Sequence, residues 1–256
     1  MGVPSDTRRR LIELAARYET PAFLEGDPSC FMHSVKGDAN REATAFVASA
    51  LSFGSRGQFM PKIAGLVDLA GGDMDRWIRS GAYLTEFAEN DPRCFYRFFT
   101  RGAMSRFFGA YRYLMSSFGT LGEYVRKTSE GDAKKAVSAI CVWFASNDGG
   151  GVVPKDAKSS CKRVCMFLRW MVRADSPVDL GLWADVIDRR TLIVPLDTHV
   201  VQEAISLGLL NSPCGSMCAA RRLTARLAEV FPDDPCRGDF ALFGYGVDKS
   251  SHGGEA

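Results

Sequence analysis

From Val164 to Val172 apolar residues recur at i, i+3, i+4, i+7 and i+8 (Val164, Phe167, Leu168, Met171, Val172), so this stretch predicts a helix packed along one face. The same period returns along the chain, and nowhere does an alternation of period two persist for the length of a strand. No Asn-Gly or Asp-Gly pair sits between β-branched runs either. The fold class expected is therefore all-α. Helices are predicted over 6–18, 41–53, 61–70, 133–146, 198–205 and 219–231, with 19–40 as an irregular connection. The small-residue segment 41–53 belongs in the core and ends at a glycine cap, Gly54.

Two side chains stand at helix starts around the first of these stretches. Lys162 falls in the first turn of the 164–172 helix, where unpaired N–H groups and the positive end of the helix dipole disfavour a second positive charge. An amine must be neutral to attack an electrophilic carbon, and such a position favours that form. It fits equally an ordinary lysine on a solvated helix start. Asp197 follows the apolar run Leu192–Leu196 and precedes Thr198-His199-Val200, so it reads as the N-cap of the next helix. Capping alone explains an aspartate there. A capping carboxylate is also rigidly aimed, which is what stabilising a cation or steering a nucleophile requires.

A lysine opening a packed helix, followed by an apolar run that ends in Leu196-Asp197-Thr198-His199-Val200 at a helix start, resembles the helix-hairpin-helix DNA glycosylase superfamily of endonuclease III and the archaeal 8-oxoguanine glycosylases. The likeness covers about fifty residues, from Ser159 to Leu210. It implies that Lys162 is the glycosylase/lyase nucleophile and Asp197 its partner carboxylate, acting on a flipped base of damaged double-stranded DNA through a Schiff base. It further implies a two-lobed helical fold with a cleft holding the pair. One lobe is expected at about 41–150, the hairpin and catalytic segment at about 151–210, and the terminal segments 1–40 and 211–256 complete the second lobe.

The resemblance also allots a base pocket to Asp239, Phe243, Trp170 and Cys165, and DNA contacts to Arg56, Gln58, Lys155, Lys158, Ser159, Ser160, Arg163 and His199. The pattern is departed from at the hairpin. Where the family has Leu-Pro-Gly-x-Gly-x-Lys, this chain reads Val153-Pro154-Lys155-Asp156-Ala157-Lys158-Ser159-Ser160-Cys161-Lys162, without either glycine. Lys155, Lys158 and the hydroxyls of Ser159 and Ser160 are the replacements available for phosphate binding.

A net charge of +2 over 256 residues gives no general nucleic-acid coat, so DNA contact calls for a local patch. Arg8-Arg9-Arg10 offers one such run, although three arginines on a helix are also simply solvated. From Asp91 to Tyr124 aromatics and arginines interleave, as in a base-stacking platform. The spacing of Phe95, Phe98 and Phe99, and of Phe107, Phe108 and Tyr111, predicts helical core packing instead. Eight scattered cysteines without a secretory signal suggest reduced thiols. Cys214, Cys218 and Cys236 are too few and wrongly spaced for an iron–sulfur cluster, and neither metal nor cofactor is expected. No apolar run of transmembrane length occurs, so a cytoplasmic monomer with no membrane partner is expected. The tail Ser250–Ala256 is expected to fray.

The function that follows is a base-excision glycosylase with β-elimination (AP lyase) activity on an oxidised purine such as 8-oxoguanine. Two alternatives stand beside it: a non-catalytic nucleic-acid-binding module of the same fold, and an enzyme of modified nucleosides.

Overall fold

The computed structural model describes residues 2–252, with side chains as far as residue 249. Helices dominate it: α1 Ser5–Tyr18, α2 Cys30–Ser34, α3 Asp38–Leu51, α4 Arg56–Leu69, α5 Met74–Ser80, α6 Arg101–Phe118, α7 Leu121–Ser129, α8 Ala133–Ser146, α9 Lys162–Val172, α10 Thr198–Ser206, α11 Met217–Ala228, α12 Arg237–Asp239 and α13 Tyr245–His252. A π-helical turn, Phe240–Gly244, joins the last two. The only sheet among the described residues is the antiparallel ribbon of β1 Cys94–Tyr96 and β2 Phe99–Thr100. No described helix is long and apolar enough to cross a membrane.

The chain divides into two units. One comprises Gly26–Gly131 and Lys135–Ala157; the other comprises Met1–Glu25, Asp132–Lys134 and Lys158–Ala256. The first is organised around α3, which is buried from Glu42 to Leu51 because its small residues let neighbours approach closely. Phe46 packs against Phe107, Tyr111 and Phe144 at centroid distances of 5.7, 5.0 and 5.2 Å. The buried Glu42 carboxylate accepts the Leu121 and Gly122 N–H groups at 2.8 and 3.2 Å, satisfying amides that the start of α7 leaves over.

Several local expectations are corrected in this unit. The connection 19–40 contains the short helix α2, and α3 begins at Asp38 rather than Arg41. The chain leaves α3 at Ser52, and Gly54, at φ 82°, lies in a short link rather than at the cap. Arg56 and Gln58 then belong to the first turn of α4, with Pro61 inside that helix. Pro61 has no N–H to give to the carbonyl four residues earlier, so that helical bond is missing. Phe95, Phe98 and Phe99 lie on the ribbon, not on a helix. Arg97, at φ 51°, turns the backbone back, and three aromatics at i, i+3 and i+4 fit a hairpin as well as a helix.

The other unit brings α1 and α9 together with the segments after them. Leu11, Leu14 and Ala15 of α1 are buried. Tyr18 donates its hydroxyl to Asp248 at 2.7 Å, and the Val3 N–H donates to Glu229 at 2.7 Å. The three consecutive arginines are in use within the unit: Arg8 binds the Glu229 carbonyl, Arg9 binds Asp6, and Arg10 lies 5.0 Å over the Tyr245 ring. Helix α13 continues to His252, against the expected fraying from Ser250. For 253–256 that expectation lies outside the described residues.

Candidate active site

Helix α9 is buried on more than its predicted face. Val164, Phe167, Leu168, Met171 and Val172 are buried as the spacing requires, but so are Cys165, Arg169 and Trp170. Lys162, Arg169 and Arg173, at i, i+7 and i+11, share one stripe of the helix. Each cation on that stripe meets carboxylates.

At the head of the stripe Lys162 Nζ lies 2.5 Å from Asp197 Oδ2, with the two side chains 29% and 17% exposed. Asp197 is delivered by the buried run Leu192–Leu196, which Thr224 fixes by accepting the Val194 N–H at 3.1 Å. Its other oxygen, Oδ1, accepts the His199 N–H at 3.0 Å and so caps α10. Burial pushes the Asp197 carboxyl up, but the Lys162 ammonium and its hydrogen bond, with the His199 N–H, outweigh burial and hold it below the usual carboxylate range. Both oxygens are thereby oriented. The His199 ring stands 6.2 Å from Phe243, whose ring also lies 6.0 Å from Phe23.

Further along the stripe the pairs close on themselves. Arg169 binds Asp179 at 3.3 Å and Asp239 at 2.5 Å, with side chains at most 5% exposed. Arg173 binds Asp179 and Glu19 at 2.5 Å and Asp234 at 2.8 Å. Phe240 covers both guanidinium groups, 4.5 and 5.1 Å from its centroid. Burial raises the Asp239 carboxyl to about 6 against the pull of Arg169, with Asp197 and Asp179 adding to the rise. Burial also raises Asp179, against both arginines.

The expected base-pocket residues therefore sit differently from one another. Trp170 is wholly buried, its indole N–H has no partner among the described residues, and Cys165 is buried with its thiol toward the Ser160 carbonyl at 3.5 Å. Both are interior because α9 packs on two sides, and the Asp239 carboxylate is taken up by Arg169. Phe243 alone of the four is partly exposed.

Of the expected DNA contacts, Lys158 and Ser159 are exposed, and Ser160, Arg163 and His199 are half-buried, all in the unit that holds Lys162. The Ser160 N–H donates to the Gly215 carbonyl at 2.9 Å and the Met217 N–H to that of Lys158 at 3.2 Å, so the segment without hairpin glycines is pinned to the loop before α11. Lys155, Arg56 and Gln58 belong to the other unit, Lys155 and Gln58 exposed and Arg56 3.7 Å from Asp27.

The residues not anticipated are Arg169, Arg173, Asp179, Asp234 and Glu19. Their sequence signal is slight: two arginines on the stripe of Lys162 in an otherwise apolar helix. Of the carboxylates that answer them only Asp179 is near in sequence; Asp234, Asp239 and Glu19 are far away.

No curated protein and no solved structure matches the chain. Residues 27–248, most of its length, match the family model described as a protein of unknown function, DUF2400, and the chain belongs to that family.

Proposed function

We propose that the chain is a DNA repair glycosylase of helix-hairpin-helix type with associated β-elimination activity, using Lys162 as nucleophile and Asp197 as proton carrier, on an oxidised purine such as 8-oxoguanine. The observation that carries this reading is the 2.5 Å contact between an amine at a helix start and a carboxylate fixed by its own cap. In water such a pair stays ionic. A nucleotide that covers it removes solvent, and desolvation favours the neutral amine and neutral acid.

Transfer of one proton from Lys162 Nζ to Asp197 Oδ2 leaves a lone pair that attacks the sugar C1′. The glycosidic bond breaks with its electron pair going to the base, which takes from Asp197 the proton that Lys162 gave it. The nitrogen gives a further proton to Asp197, which passes it to O4′ as the sugar ring opens and leaves a protonated imine at C1′. Removal of a C2′ proton then expels the 3′ phosphate, and water releases the lysine.

The test is borohydride reduction of the protein with duplexes carrying 8-oxoguanine or an abasic site. A covalent adduct is expected, and it is lost in Lys162→Ala. Base release without an adduct would make water the nucleophile; neither would remove the glycosylase reading.

One observation favours a non-catalytic nucleic-acid-binding module: both Asp197 oxygens are already satisfied, by Lys162 and by the His199 amide. That reading expects DNA binding without turnover. An enzyme of modified nucleosides would instead release base from free nucleosides and bind DNA weakly and with little salt dependence.

A further inference from the structure

Phe98 is the most exposed of the large hydrophobic side chains, at 69%, and its position is not that of a loose loop. It stands with Arg97 in the turn of the β1–β2 ribbon. Beneath it is a fixed aromatic base: its ring lies 4.7 Å from Phe99 and 5.1 Å from Phe53, and Tyr96 packs on Phe53 at 4.9 Å. The Tyr96 hydroxyl donates to the Phe53 carbonyl, tying the ribbon to the link between α3 and α4. Arg97 lies 5.9 Å over Phe53, and its side chain fills the space beside Gly54. The Phe98 ring is thus held by Phe53 and Phe99 while most of the side chain is exposed.

The two segments that build this aromatic base are one-sided in charge. The segments 53–62 and 91–101 carry Arg56, Lys62, Arg93, Arg97 and Arg101 against a single carboxylate, Asp91, whereas the whole chain is only +2. Asp91 binds Arg93 and Arg101, and Arg56 lies near Asp27. Arg97 and Lys62 have no carboxylate partner among the described residues; Lys62 lies 5.4 Å over Phe95. An exposed ring on a rigid base, on segments whose Arg97 and Lys62 are not neutralised by a carboxylate among the described residues, is what a π-face joined to an anionic backbone would meet.

We infer that the Arg97–Phe98 turn is a stacking platform for one unpaired nucleobase of a DNA strand, Phe98 taking the base and Arg97 and Lys62 the adjoining phosphates. This rests on the reading of the substrate as DNA but not on the chemistry of Lys162.

The test uses the full chain and two probes: a thymine oligonucleotide with one internal 2-aminopurine, and a duplex with 2-aminopurine opposite an abasic site. Stacking on Phe98 quenches the fluorescent base on binding. Phe98→Ala is expected to lose the added quenching and to bind about 5- to 150-fold more weakly, as removal of one base–aromatic stack implies. Phe98→Trp is expected to restore both while melting as the wild type does. Unchanged affinity and quenching in Phe98→Ala would overturn the platform and leave DNA binding standing. Failure of the wild type to bind either probe would overturn the DNA reading and the platform together. Concentration-dependent self-association in sedimentation, abolished by Phe98→Ala with DNA binding unaltered, would make the occupant a second copy of the chain.

Discussion

Two ends of one helix carry the same kind of pair in opposite circumstances. At the start of α9 Lys162 meets Asp197 with both side chains partly exposed, whereas three turns on Arg173 is 3% exposed and shared among three carboxylates. A buried network must be completely satisfied, because an uncompensated interior charge is costly. It is therefore a closed object with no capacity left for a ligand. At the Lys162 pair each atom in contact has one partner among the described residues, and both side chains remain partly exposed. The proposed chemistry falls there, while the interior pairs hold the helix that presents Lys162.

The largest expected effect separates the two on activity. Lys162→Ala is expected to abolish trapped adduct yet leave stability within about 1 kcal/mol, since a partly exposed ion pair contributes little. A comparable loss of fold by thermal melting would erase the distinction. Second in size, Arg169→Ala strands two buried carboxylates and is expected to cost about 3–5 kcal/mol in denaturant unfolding. A cost below 1 kcal/mol would show the interior pairs to be dispensable.

Next comes pH. The folded Asp239 carboxyl, at about 6, lies above its ordinary value of 3.8, so between those values the folded state binds more protons than the unfolded one. Its contribution to stability is present below about 4 and is lost as pH rises through 6. Asp197, held low, behaves oppositely: its contribution is present above the ordinary carboxylate range and is lost as pH falls. Comparison of unfolding curves of wild type and Asp239→Asn over pH 4–7 is expected to show that component vanish; identical slopes would count against it. The smallest effect is that of the cap. Asp197→Ala is expected to cost about 0.5–2 kcal/mol through loss of the His199 N–H bond, measured in a Lys162→Ala background to separate it from the ion pair.

Sequence and structure meet most closely where one local rule suffices. The 3.6 period located α8 and α9, and an aspartate before Thr198 announced a cap, because both are set within a turn or two. Where sequence reading failed, the deciding partner was remote. Phe98 fitted a helix by spacing until β1 and β2 paired, and Arg169 was given no role by spacing because its partner Asp239 lies seventy positions later. The segment 158–160 is likewise held by 215–217, a pairing that no periodicity encodes. Trp170 and Cys165, assigned by resemblance to a pocket, were placed in the interior by packing on the second face of their helix.

The division of the chain also has a consequence for the order in which it can fold during synthesis. The unit around α3 is complete once residue 157 has emerged, whereas the unit of Lys162 needs Tyr18 to meet Asp248 across an interval of 230 residues. At about 5–20 residues per second, the stretch from 157 to 248 takes roughly 5–20 s to make. During that time α9 has been synthesised, with Arg169 on it and Arg173 at its end, while Asp234 and Asp239 have not all arrived to pair with them. The nascent helix thus has Glu19 and Asp179 early but Asp234 and Asp239 only late, and the time taken to make residues 180–239 governs how long its charges stay incompletely matched.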